Sequence, residues 1–129
     1  MSAPFSPMDA PALADLRQAV WEANQAIVRA GLVTLSFGNA SGVDRAAGVL
    51  LIKPSGVPYA ELLPEHLVAV ALDDGRIVAG NLRPSSDTAT HLALYRRYPE
   101  MGGVVHTHST AASAWAQALS LIHIPSPRD

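Results

Sequence analysis

His106 and His108 are separated by one residue at the end of the apolar stretch Val104-Val105. On a strand, residues two apart point to the same face, so both imidazoles can converge on one ion across Thr107. The plainer alternative is a pair of partly buried histidines satisfied by backbone carbonyls. Company favours the ion. The pair closes an apolar strand, where functional groups of layered sheets often emerge, and Asp87 offers a hard oxygen donor. Two imidazoles and a carboxylate suit zinc or manganese. The chain has no cysteine, which excludes a thiolate metal site and a disulfide framework.

A second set of residues suits an anion. Ser85-Ser86-Asp87 reads as a helix cap or as a cradle in which amides and hydroxyls hold a phosphate, and the two are compatible. Lys53 precedes Pro54-Ser55-Gly56, which sets an ammonium beside exposed amides; taken alone it is a solvated lysine before a turn. Gly38-Asn39-Ala40-Ser41, taken singly, reads as a turn, because asparagine and glycine tolerate the left-handed conformation. His66 and His91 have no partner at a metal-ligand spacing and read as structural or surface histidines. His123 falls in the last segment.

The elements that position these groups follow from periodicity. Leu13, Leu16, Val20, Ala23 and Ile27 recur at spacings of three and four, which predicts an amphipathic helix capped by Asp9, with Pro11 in its first turn and Gly31 at its end. After Leu32 the pattern becomes strand, a short polar loop at Gly38, Asn39, Ser41 and Gly42, then a buried strand at Val49-Leu50-Leu51-Ile52. Leu67 to Leu72 and Arg76 to Ala79 flank Asp73-Asp74-Gly75 as an antiparallel hairpin. A helix from Pro84-Ser85-Ser86-Asp87 to about Tyr98 is stopped by Pro99. Val104 to His108 reads as a short buried strand feeding a last helix from Ser109 to Ala118. The expected fold class is α/β, with helices covering a mixed, largely antiparallel sheet.

The whole chain of 129 residues is sized for one domain, and its 49% apolar and 16% charged content is that of a globular protein. A net charge of −2 without a basic run gives no footprint for nucleic acid. Met1 to Pro11 does not read as a secretory signal, and no apolar run approaches the roughly 20 residues that span a bilayer. No nucleic acid or membrane partner is therefore expected, and a cytoplasmic enzyme fits.

Gly-Asn-Ala-Ser at 38–41, Lys-Pro-Ser-Gly at 53–56, Pro-Ser-Ser-Asp-Thr at 84–88 and His-Thr-His at 106–108 occur in an order that resembles the class II aldolase and adducin family. The resemblance covers about residues 12–118. Asp44-Arg45, Ile52 to Val57, Tyr95-Arg96 and Trp115-Ala116-Gln117-Ala118 look most like its L-ribulose-5-phosphate 4-epimerase branch. The resemblance implies a three-layer αβα fold in a homotetramer with a divalent ion, usually Zn2+, with Mn2+ or another ion possible. By that resemblance Asn39, Lys53, Ser55, Gly56, Ser85 and Ser86 hold the phosphate of a small sugar-phosphate substrate, and Asp87, His106 and His108 surround the metal.

The implied chemistry is retro-aldol cleavage followed by re-addition on the other aldehyde face, interconverting L-ribulose 5-phosphate and D-xylulose 5-phosphate. Asp87 is the one catalytic residue that the resemblance assigns within this chain. Related aldolases, such as those of L-fuculose phosphate, tend to carry glutamate at its place, so aspartate favours epimerase over aldolase. An adducin-like binding module without the metal is a further alternative, opposed by the presence of Asp87, His106 and His108. The family pattern beyond Ala118 includes an acid-base aspartate, a third metal histidine and a tyrosine, which this sequence lacks. Residues 1–118 are thus expected to be the N-terminal portion of the domain, and residues 119–129 a non-family tail from a truncated reading frame. Such a fragment is expected to bind metal weakly, to turn over negligibly and to dissolve poorly.

Overall fold

The computed structural model describes residues 11–108 and residue 114. The cap expected at Asp9, the last helix expected over Ser109 to Ala118 and the 119–129 tail lie outside the described residues.

Helix α1 spans Pro11–Arg29 and buries Leu13, Val20 and Ile27 on one side. It ends as the sequence predicts. Gly31, at φ 70°, donates to Val28 O at 2.9 Å, and Leu32 donates to Ile27 O at 3.0 Å, the paired bonds that close a helix through a left-handed glycine.

Strands β1 (Asn39–Asp44), β2 (Val49–Ile52), β3 (Val68–Ala71), β4 (Ile77–Ala79) and β5 (Gly103–His106) form one sheet in the order β4-β3-β2-β1-β5. Every pairing among the described residues is antiparallel. The β3–β4 hairpin lies where the Asp73-Asp74-Gly75 turn predicts it. Helix α2 runs over Thr88–Arg97, with its end tied down by Arg45, whose guanidinium donates to Tyr95 O, Tyr98 O and Met101 O.

Period-two alternation explains the unbroken apolar run of β2. Val49 and Leu51 pack with Leu13, Val20, Leu67 and Ala69 on the α1 face. Leu50 and Ile52 pack with Val68, Val70, Leu92 and Tyr95 on the α2 face. A strand covered on both faces has no solvent side to be polar, so the sheet is the middle of three layers. Among the described residues no helix is long and apolar enough to cross a membrane.

Two expectations require correction. The predicted polar loop at residues 38–42 is largely strand β1, the centre of the site, and the predicted strand before it is irregular chain. Polar residues are tolerated there because partners are built in. Asn24 of α1, fully buried, accepts from Ala40 N at 2.9 Å and donates to Ala40 O at 3.0 Å. Ser41 Oγ lies 2.6 Å from His91 Nδ1 and 2.7 Å from Tyr95 OH. Gly42 lets α1 approach, since a Cβ there would meet Val20 Cγ2 at 2.8 Å and Leu16 Cδ1 at 2.9 Å.

The second correction concerns β5. It ends at His106, alternates exposed and half-buried residues instead of being buried, and leaves Val105 55% exposed. His108 stands beyond the strand, anchored by its amide to Leu32 O at 2.9 Å.

Candidate metal and phosphate site

The β1–β5 ladder sets Asn39 opposite His106. Gly38, at φ 83°, delivers the chain into that first pair, and a Cβ there would meet Val33 Cγ1 at 2.5 Å and His106 O at 3.0 Å. Glycine is needed for both reasons.

Two turns close on the same end of the sheet. An isolated antiparallel bridge joins Pro54 to Pro84. Around it, Ser55 N donates to Arg83 O at 2.8 Å and Ser85 N to Lys53 O at 3.0 Å. The Lys53–Gly56 turn and the Ser85–Asp87 helix start are thereby held side by side. Asn39 Nδ2 fastens them to β1, donating to Ser85 Oγ at 3.0 Å and to Asp87 Oδ2 at 2.7 Å.

The result is one cavity of about 340 Å3, whose walls include all nine residues singled out in the sequence: Asn39, Lys53, Ser55, Gly56, Ser85, Ser86, Asp87, His106 and His108. Ser36, Phe37 and Pro54 also line it. Their types carry no chemical signal that spacing could have revealed.

Lys53 is 2% exposed, so the plain reading of it as solvated does not hold. Its Nζ donates to Ser36 O at 3.2 Å and Pro54 O at 3.4 Å, and burial pulls its pKa below the ordinary lysine value. Among the described residues no carboxylate lies within ion-pair distance of it. A buried ammonium facing a cavity without a countercharge is a place for an anion.

Asp87 stands at the N-cap position just before α2, yet its side chain makes no cap hydrogen bond. Ser85 does that work: its Oγ accepts from Asp87 N at 3.2 Å and its carbonyl from Thr88 N at 3.1 Å. The carboxylate of Asp87 is left for the site. His106 Nδ1 donates to Asp87 Oδ2 at 2.6 Å. Burial pushes the Asp87 carboxyl up, but the hydrogen bonds from His106 and Asn39 and the electrostatic influence of His106 and His91 outweigh it, and the net pKa is lowered. A carboxylate that accepts from Nδ1–H fixes the tautomer and leaves the Nε2 lone pair of His106 for a metal.

The His108 ring lies 4.9 Å from that of His106, tilted by 34°, and 5.9 Å from the ring of Phe37. The donor set therefore suits a divalent ion at two imidazoles with Asp87 beside them. Among the described residues no three His, Cys, Asp or Glu side chains form a complete ligand group.

His66 and His91 are structural, as their spacing predicts. His66 Nδ1 accepts from Leu63 N at 3.0 Å. His91 is 1% exposed against Ser41, and burial holds its pKa below the ordinary value.

Three layers with this sheet order and these two turns at one end of the sheet are the class II aldolase fold. L-fuculose 1-phosphate aldolase superposes with a TM-score of 0.74 at 28% identity, over 80% of this chain and 48% of that one. YgbL from Escherichia coli does so with a TM-score of 0.69 at 37% identity, over 78% and 47%. Residues 18–127 match the family described as Class II Aldolase and Adducin N-terminal domain, and the chain belongs to that family. Over 103 residues it is 58% identical to L-ribulose-5-phosphate 4-epimerase UlaF of Salmonella paratyphi B, covering 80% of this chain and 45% of that protein. The chain thus spans about half the length of the curated relatives it matches.

Proposed function

We propose that this chain carries the phosphate cradle and two metal-binding imidazoles of a zinc-dependent enzyme that interconverts L-ribulose 5-phosphate and D-xylulose 5-phosphate. The observation that carries this reading is the shared cavity: a buried lysine ammonium, without a carboxylate partner among the described residues, and a carboxylate-oriented imidazole face the same space. The 58% identity to a named epimerase supports the choice of reaction.

Lys53, with the Ser55, Gly56, Ser85 and Ser86 turns, holds the substrate phosphate by charge and by amide and hydroxyl donors. Asn39 Oδ1, buried without a partner among the described residues, accepts a hydroxyl of the bound sugar. His106 and His108 hold the ion, and Asp87 keeps His106 in the tautomer that does so. When bound there, the ion supplies positive charge for the oxygen anion that develops as the carbon-carbon bond opens. Cleavage between C3 and C4 leaves the phosphate on the two-carbon aldehyde, so the anchored phosphate retains that aldehyde while its carbonyl turns and the three-carbon fragment re-attacks its other face. A homotetramer working in the cytoplasm accords with the family resemblance.

The aldolase reading rests on the L-fuculose 1-phosphate aldolase fold match. The two readings share the first cleavage and differ in whether the aldehyde leaves. A chimera decides between them: residues 12–108 replace the corresponding part of the Salmonella epimerase, and its products from L-ribulose 5-phosphate with zinc are analysed. D-xylulose 5-phosphate is the expected product, lost on His106→Ala. Free aldehyde would make it an aldolase, and a folded chimera that binds zinc yet leaves the sugar unchanged would contradict both.

A further inference from the structure

The lysine of the anion pocket has a support behind it that sequence spacing does not reveal. Tyr59, 6% exposed, lies across the Pro54–Pro58 turn from Lys53. The Lys53 ammonium stands 4.8 Å from the centroid of the Tyr59 ring. The Tyr59 hydroxyl donates to Gly38 O at 2.7 Å and reaches Phe37 O at 3.2 Å. Lys53 itself donates to Ser36 O. Lysine and tyrosine thus grip three successive carbonyls, those of Ser36, Phe37 and Gly38, on the segment that leads into Asn39.

From this geometry we propose that Tyr59 is a positioning residue for anion binding: its ring holds the Lys53 ammonium at the cavity wall and its hydroxyl pins the 36–38 segment. An aromatic face attracts a cation most strongly where water is excluded. The ring therefore offsets part of the desolvation of a buried ammonium that has no carboxylate neighbour among the described residues. Two of the three ammonium donors are spent on the Ser36 and Pro54 carbonyls, and the third, which has no acceptor among the described residues, can meet a ligand. Burial raises the pKa of Tyr59 to about 12, so its hydroxyl stays a donor across the physiological range. On the far side, Gln25 Nε2 of α1 donates to Tyr59 O at 3.0 Å, which braces the tyrosine backbone against the main core.

The inference rests on the anion reading of the pocket, and one titration separates the two. Inorganic phosphate is titrated into the full 129-residue chain and followed by 31P NMR. The proteins compared are the wild type, Lys53→Met, Tyr59→Phe, and versions carrying phenylalanine with one, three or five ring fluorines at position 59. Fluorine drains the negative face of the ring while nearly preserving its shape, so a purely structural tyrosine would give a flat series. The expected result is saturable binding by the wild type and none by Lys53→Met. Tyr59→Phe is expected to weaken binding several-fold, and affinity is expected to fall further with each added fluorine, to roughly tenfold below Tyr59→Phe at five. Melting temperatures are expected to stay level across the fluorinated set. Binding that depends on Lys53 but does not change along the fluorine series overturns the role of Tyr59 and leaves the anion pocket standing. Absence of saturable binding by the folded wild type overturns both.

Discussion

Asn39 and His106, opposite each other in the β1–β5 ladder, both donate to the same oxygen, Oδ2 of Asp87, at 2.7 and 2.6 Å. The same Asn39 amide donates to Ser85 Oγ in the neighbouring turn. One asparagine therefore links the residues proposed for phosphate to those proposed for metal. Replacing it uncouples them. Asn39→Ala is expected to weaken phosphate binding about tenfold and to cost about 1–3 kcal/mol of stability, as loss of a buried hydrogen-bonding partner does. Parallel phosphate titration and urea denaturation would check this, and unchanged phosphate affinity would argue against the linkage.

Asn24 supports the site from behind by satisfying both backbone groups of Ala40. Asn24→Leu fills a similar volume but leaves the buried amide and carbonyl of Ala40 unpaired near the start of β1. The expected loss is on the order of 3 kcal/mol, seen as a lower urea midpoint with an unchanged slope. A midpoint equal to that of the wild type would refute this account of the polar strand.

Gly38→Ala places a side chain in a left-handed conformation and against Val33 and the His106 carbonyl. Its effect is expected at two levels. Stability falls by about 1–3 kcal/mol from strain and overpacking, and the His106 amide and ring signals shift in NMR spectra because the first β1–β5 pair is displaced. Gly31→Ala, where a Cβ meets nothing within 4 Å, strains the backbone alone and should leave the His106 signals in place.

His91 carries a pH dependence whose sign follows from burial. Its folded pKa lies below the ordinary 6.5 because desolvation disfavours the charged form, with Asp87 raising and His106 lowering it to smaller degrees. The unfolded chain then binds the proton more readily, so stability is full above about pH 6.5 and declines as pH falls toward the lowered folded value. His91→Gln is expected to flatten the stability curve over that window while lowering stability at neutral pH. Urea midpoints measured from pH 7.5 to pH 5 would show it, and parallel curves for both proteins would exclude His91 as the source.

The residues that line the cavity were more legible in the sequence than the strand that organises them. His106, His108, Asp87 and the two serine turns announce themselves by type and spacing, and all line the cavity. The apolar run of β2 and the Gly31 helix end were equally plain. Strand β1 was not, because Asn39, Ser41 and Gly42 have the composition of a turn. The burial of this strand depends on Asn24 at Ala40, Ser85 and Asp87 at Asn39, and His91 and Tyr95 at Ser41, residues distant in sequence that supply the missing partners. Tyr59 escaped for the same reason, since its contacts with Lys53 and Gly38 exist only once the 53–59 turn has folded back. Local propensity does not report partners that arrive from elsewhere in the chain.

The central claim is that cation and phosphate occupy one cavity. The most direct test is paramagnetic relaxation of the phosphorus of L-ribulose 5-phosphate by Mn2+, measured by 31P NMR in the presence of the chain. A saturable relaxation enhancement is expected, lost both in His106→Ala, which removes a proposed ion ligand, and in Lys53→Met, which removes the anion's partner. Enhancement that survives either substitution, or phosphate binding without any Mn2+ effect on its phosphorus, would contradict a shared site.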